Sequence, residues 1–146
     1  MLRFLLQALL ILVVFIAAWR SGGKPERSVA SIYLMMLLVS TINALVIGGQ
    51  NDTDYTDLHS VHFVLDCVAL VGVIFVALRY DRWWTLWVGS VQFIAVMAHL
   101  MRALAMPMPP IAYAVMERWP VWMAVLITAT GTFLHYRRGN QTAIGN

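Results

Sequence analysis

The chain has 146 residues, of which 61% are hydrophobic and 12% charged, with a net charge of +3 and a mean hydropathy of +0.75. An ordinary soluble domain carries about 25% charged residues and a disordered chain is poor in apolar ones, so both classes are excluded and an all-α integral membrane protein remains. The basic residues are scattered singly or in pairs between apolar runs, which leaves no patch for a nucleic-acid backbone and makes the lipid bilayer the expected surroundings.

In chain order, residues 2–19 are apolar except for Arg3 and Gln7. A positive start, an apolar middle and Ala17-Ala18 resemble a secretory signal peptide, but the run is read as a retained first span. Residues 20–27 form a turn-rich basic linker. Further spans are expected at about 28–48, 58–78, 83–103 and 119–136, each of roughly 18 to 21 residues and so long enough to cross a hydrocarbon core of about 30 Å. Asp54 and Asp57 are N-cap candidates for the third span, and Pro120 is placed in the first turn of the fifth, where proline is tolerated. The proline-rich stretch 106–110 breaks any helix, residues 111–118 are expected as a short interfacial helix, and 137–146 as a polar tail. The connections are too short for a barrel, so the expectation is one polytopic domain over residues 1–146, a bundle of five transmembrane helices.

Alternate connections divide the basic residues unevenly. Arg20, Lys24, Arg27, Arg79, Arg82, Arg137 and Arg138 fall on one side, and Arg3, Arg102 and Arg118 on the other. The richer side is assigned to the cytoplasm, giving an outside N-terminus, an inside C-terminus and a multi-pass protein of a bacterial-type inner membrane. Trp19, Tyr80, Trp83 and Trp84 then lie near the inner boundary, and Tyr55 and Trp119 near the outer one, as interfacial anchors.

The polar residues inside these spans carry the functional information. In the third, His59, His62 and Asp66 are spaced by three and four and share a helix face; in the fourth, Gln92, His99 and Arg102 are spaced by seven and three and share another. Only Tyr80-Asp81 joins the two spans, so they form an antiparallel hairpin. Residues equidistant from that joint lie level, which pairs His62 with His99 and His59 with Arg102. Asp66 falls about 3 Å from the midplane, where a charge costs about 2.5 to 3.5 kcal/mol on insertion scales, so it is expected to face the bundle interior. Asn43 and Gln7 add polar groups in the same outer half.

Three functions compete for this cluster. It serves as an interhelical hydrogen-bond network that fixes register, as a proton or cation site built on Asp66, His62 and His99, or as a haem- or quinone-binding anchor. No metal and no cofactor is assigned: two histidines lack a third nitrogen or thiolate, and Met97 and Met101 point away from His99 on the helical wheel. The lone Cys67 sits in an apolar run as a packing residue. No nucleophile elbow or phosphate loop is present, so no enzyme activity is expected. Ser40, Ala44 and Gly48, and likewise Ala124, Thr128 and Thr132, form small-residue tracks suited to close helix contact. The first expectation is therefore a structural or assembly subunit that forms a homo-oligomer or joins a larger membrane complex.

Overall fold

The computed structural model describes residues 2–47, 55–104 and 110–144, and all of the described secondary structure is helical. The helices are α1 (Leu2–Ser21), α2 (Lys24–Ile47), α3 (Tyr55–Tyr80), α4 (Trp83–Ala103) and α5 (Pro110–Ile144). Four of them contain windows long and apolar enough to cross a membrane: Leu2–Ser21, Lys24–Val46, Val61–Tyr80 and Trp83–Arg102, with mean hydropathies of 2.3, 2.1, 2.5 and 1.4.

Two tight connections set the antiparallel order. α1 stops at Gly22-Gly23, where the Gly22 amide donates to the Ala18 carbonyl at 3.0 Å. A Cβ on Gly22 would stand 2.6 Å from that same oxygen, so only glycine lets the chain turn so closely against the end of α1. Pro25, second in α2, lacks an N–H that the first turn would leave unpaired anyway. The α3–α4 connection turns on Asp81, whose φ of 47° lies in the left-handed region that Asp tolerates better than most residues. Thr85 then closes the first turn of α4, its hydroxyl donating to the Arg82 carbonyl at 2.5 Å.

Each helix packs on the next in sequence, α1 also packs on α5, and α2 touches α5. The result is a closed ring. Its lower end carries the α1–α2 and α3–α4 turns and the late part of α5; its upper end carries the starts of α1, α3 and α5. Ser40 meeting His62 orients α2 against α3, and Trp84 lying on Gly131 orients α4 against α5. One core joins Val29, Tyr33, Val73, Val76, Trp84, Val88 and Ala124 from α2 to α5; a second joins Ile11 and Val14 of α1 to Val125 of α5. Leucine, valine, phenylalanine and tryptophan cover the outside, while Glu26, Asp66, Thr85, Gln92, His99, Thr128 and Thr132 are buried. A soluble protein of this size does not expose so continuous an apolar surface, whereas a lipid-facing bundle does, and the architecture is compatible with a multi-pass membrane protein.

Several expectations change. Residues 111–118 are not a separate interfacial helix, and residues 137–144 are not a tail beyond the last helix, because α5 runs unbroken for 35 residues from Pro110 to Ile144. Pro120 lies inside it rather than in its first turn. Proline removes one backbone hydrogen bond, and a helix flanked by packed neighbours tolerates that loss. The linker expected at 20–27 shrinks to Gly22-Gly23, because residues 24–27 already wind into α2. Asp57 lies within α3 instead of capping it; Asp54 lies outside the described residues. Trp84 is buried in the core rather than anchored at an interface, because Gly131 opens a slot for its ring.

Candidate functional site

Asp66 is held from two turns of α4 at once. Counted from the Tyr80–Asp81 joint, Asp66 stands level with Ala95, a small buried residue, and Gln92 and His99 stand one turn to either side. Gln92 Nε2 donates to Asp66 Oδ1 at 2.8 Å and lies 3.3 Å from the Asp66 backbone carbonyl. His99 Nε2 lies 3.1 Å from the other carboxylate oxygen, Oδ2. Asp66 is 5% exposed and His99 7%, so the pair is shielded from the surface of the bundle. Phe63 backs the imidazole, with ring centroids 6.0 Å apart and tilted by 59°.

The network continues into α2. Tyr33 donates its hydroxyl to Gln92 Oε1 at 3.0 Å. The Gln92 amide thus turns its NH2 toward Asp66 and its oxygen toward the Tyr33 hydroxyl, so both ends of the amide are engaged. With Nε2–H directed at Asp66, a neutral His99 keeps Nδ1 as an acceptor, and a protonated His99 makes the contact an ion pair. One turn above Asp66 on α3, His62 Nε2 meets Ser40 Oγ of α2 at 3.2 Å.

Asp66, His99, His62, Ser40 and Tyr33 line a cavity of about 1360 Å³ that extends to the starts of α1 and α5, where Arg3, Gln7, Trp119 and Trp122 complete its wall. Tyr33 and Ile11 line its lower part. The Tyr33 side chain also lines a second void of about 10 Å³ bounded by Ile11, Ala30 and Thr128.

The cluster read from the sequence is therefore partly assembled and partly dispersed. Asp66, Gln92 and His99 form one network; His62 joins Ser40 and shares the cavity. Arg102 is exposed on the last turn of α4. Asn43 is half-buried and its Nδ2 has no hydrogen-bond partner among the described residues. His59 belongs to α3, but its side chain lies outside the described residues. Of the small-residue tracks, Ala124, Thr128 and Thr132 are buried inside the chain's own bundle, Ala44 is exposed, and Gly48 lies outside the described residues. Cys67 is half-buried on α3. No group of three or more His, Cys, Asp or Glu side chains suited to a metal ion comes together among the described residues.

Tyr33 and Glu26, both buried, escaped the sequence analysis, as did Thr85. Tyr33 precedes Ser40 by seven residues, the spacing that singled out Gln92 and His99, and that signal was available. Glu26, in the first turn of α2, is 2% exposed and its Oε2 has no hydrogen-bond partner among the described residues. Its position in a basic turn hid it among ordinary interfacial charges. No protein-family model, curated protein or solved structure matches the chain.

Proposed function

We propose that this chain is a five-span inner-membrane protein that handles protons at Asp66 and His99, without catalysing a covalent reaction. The observation that carries this reading is the placement of two titratable side chains 3.1 Å apart, shielded from the lipid-facing surface and lining a cavity of about 1360 Å³. Ionisable groups at membrane depth are costly and concentrate on ion and proton pathways. A proton fits this pair better than a cation does. A dehydrated cation requires several oxygen ligands, whereas both oxygens of Asp66 are already engaged by Gln92 and His99, and among the described residues the cavity brings no second carboxylate to them.

Two further points belong to the same reading. α5 serves as the fifth span: its buried stripe of Ala124, Val125, Thr128, Gly131 and Thr132 packs into the ring. The basic residues gathered at the lower end support a cytoplasmic lower end and, with it, a cavity that faces outward. A purely structural subunit needs the hydrogen bonds of Asp66 but no cavity beside them. Self-association retains one support, the exposed Ala44 on α2, since the α5 track is occupied within the chain.

The test is proton flux into proteoliposomes carrying wild type or Asp66→Asn. Asparagine keeps the size and can keep hydrogen bonds to both neighbours, so assembly and thermal midpoint should hold; an amide does not titrate, so flux should fall to that of empty liposomes. Wild-type flux no higher than empty liposomes would return the cluster to a register-fixing role and leave self-association as the function.

A further inference from the structure

At the lower end of the bundle, opposite the cavity, Glu26 is enclosed by the α1–α2 turn and the late part of α5. A Cβ built on Gly23 would stand 3.0 Å from Glu26 Oε2 and 3.1 Å from His135 Cε1, so the carboxylate and the imidazole face the same gap over Gly23. His135 is exposed, and through it the buried carboxylate reaches the surface. Gly22 bears on the same side chain: a Cβ there would stand 2.9 Å from that of Glu26. Leaving a carboxylate oxygen buried without a donor is expensive, and neither the packing of α2 nor the Asp66 network uses it.

Above Glu26, two stripes of residues face one another across the α2–α5 contact, the one on α5 polar throughout and the one on α2 interrupted by an alanine. On α2, Glu26 is followed by Ala30 after four residues and Tyr33 after three more; on α5, Thr128, Thr132 and His135 carry the same spacing in the opposite sense. Thr128 and Thr132 are buried and donate their hydroxyls to carbonyls four residues back, at 2.8 and 2.9 Å, so the oxygens keep lone pairs for a further donor. The void of about 10 Å³ is lined by Tyr33 and Thr128 together with Ile11, Val14, Ala30 and Val125, one helical turn from Glu26 along α2, and its size is roughly that of one water molecule. Tyr33 and Ile11 line both that void and the large cavity, and of the two Tyr33 brings the polar group.

We infer that Glu26 is the lower terminus of a proton path that crosses the bundle, with His135 as its outlet and the Thr128–Thr132 seam joining it, past Tyr33, to Asp66 and His99. The inference rests on the proton-handling reading given above and adds the residue on the other face. The balance is simple. Water at the upper face protonates the Asp66–His99 pair, a proton passes by way of water beside Tyr33 and Thr128 to the Glu26 carboxylate, and Glu26 releases it to water beside His135. One proton crosses in the direction of its gradient, and no bond other than those to hydrogen changes. Gln92 does not carry the proton, since an amide does not titrate; it holds Asp66 and Tyr33 in place.

Dye-reported proton flux in proteoliposomes tests this, using full-length wild type, Glu26→Gln, Glu26→Asp and Asp66→Asn, with size-exclusion profiles to confirm folding. The expected pattern is flux in wild type, flux at the empty-liposome level in Glu26→Gln and in Asp66→Asn, and recovered flux in Glu26→Asp. Wild-type flux in Glu26→Gln with loss in Asp66→Asn would overturn the Glu26 path and leave the Asp66–His99 function standing. No flux in wild type would overturn both. Should Glu26→Gln fail to fold, wild type is treated with a membrane-soluble carbodiimide, which couples to buried carboxyls. An adduct located on Glu26 by peptide mass, together with blocked flux, supports the path; an adduct there with unchanged flux, or none there, refutes it.

Discussion

Gln92 satisfies two residues at once, which makes it the most exposed point of failure in the buried network. Gln92→Leu keeps the volume but strips the donor from Asp66 Oδ1 and the acceptor from Tyr33, leaving two buried polar groups without partners. Each such loss costs about 1 to 3 kcal/mol, so the thermal midpoint should fall clearly in Gln92→Leu, while Asp66→Asn should change it little. A thermal scan of the three proteins in one detergent checks the order; equal midpoints for wild type and Gln92→Leu would show that the network is not formed. The contrast follows from what each change leaves behind. Removing a charge relieves a burial penalty, whereas removing a neutral partner creates one.

Among the elements, α4 and α5 are held by shape more than by polarity. The Trp84 ring lies against Gly131, where a Cβ would stand 3.0 Å from Cε2 and 3.1 Å from Cδ2. Gly131→Leu forces this ring out of the core it shares with Val88 and Ala124, and overpacking of this kind costs about 1 to 3 kcal/mol. A lower thermal midpoint for Gly131→Leu, beside an unchanged one for exposed Thr130→Leu, is the expected result. Pro120 matters on the same helix for another reason. It interrupts the hydrogen-bond ladder of α5 beside Trp119, Val121 and Trp122, all of which line the large cavity.

For the whole molecule, the proposed topology puts the lower end of the bundle in the cytoplasm. With the lower end in the cytoplasm, cysteines introduced at positions 53 and 81 into a Cys67→Ala background should differ in intact cells: an impermeant thiol reagent should label position 53 and spare position 81. Labelling of position 81 alone would invert the bundle and turn the cavity inward. Self-association is expected to use α2, where Ala44 is exposed and small enough for close helix contact. Mass photometry in mild detergent should then show multiples of 16.4 kDa, shifted toward the single chain by Ala44→Leu. A monomer throughout would remove the assembly role.

Much of this architecture is local and was therefore legible before any contact was known. Hydropathy marked four of the helices; the two-residue joint at Tyr80-Asp81 determined the α3–α4 register; and three-and-four spacing placed Asp66, Gln92 and His99 on facing sides, because helix periodicity depends only on neighbours in the chain. Tertiary structure alone decided which helix fills each face. Tyr33 reaches Gln92 across 59 residues, Glu26 meets the gap beside His135, and Trp84 leaves the interface for the slot at Gly131. The same holds for the track at Ala124, Thr128 and Thr132, whose spacing suits a partner chain as well as its own bundle. A helix face records that something packs against it and not what does, so the choice among partners waits for the closed ring of five helices.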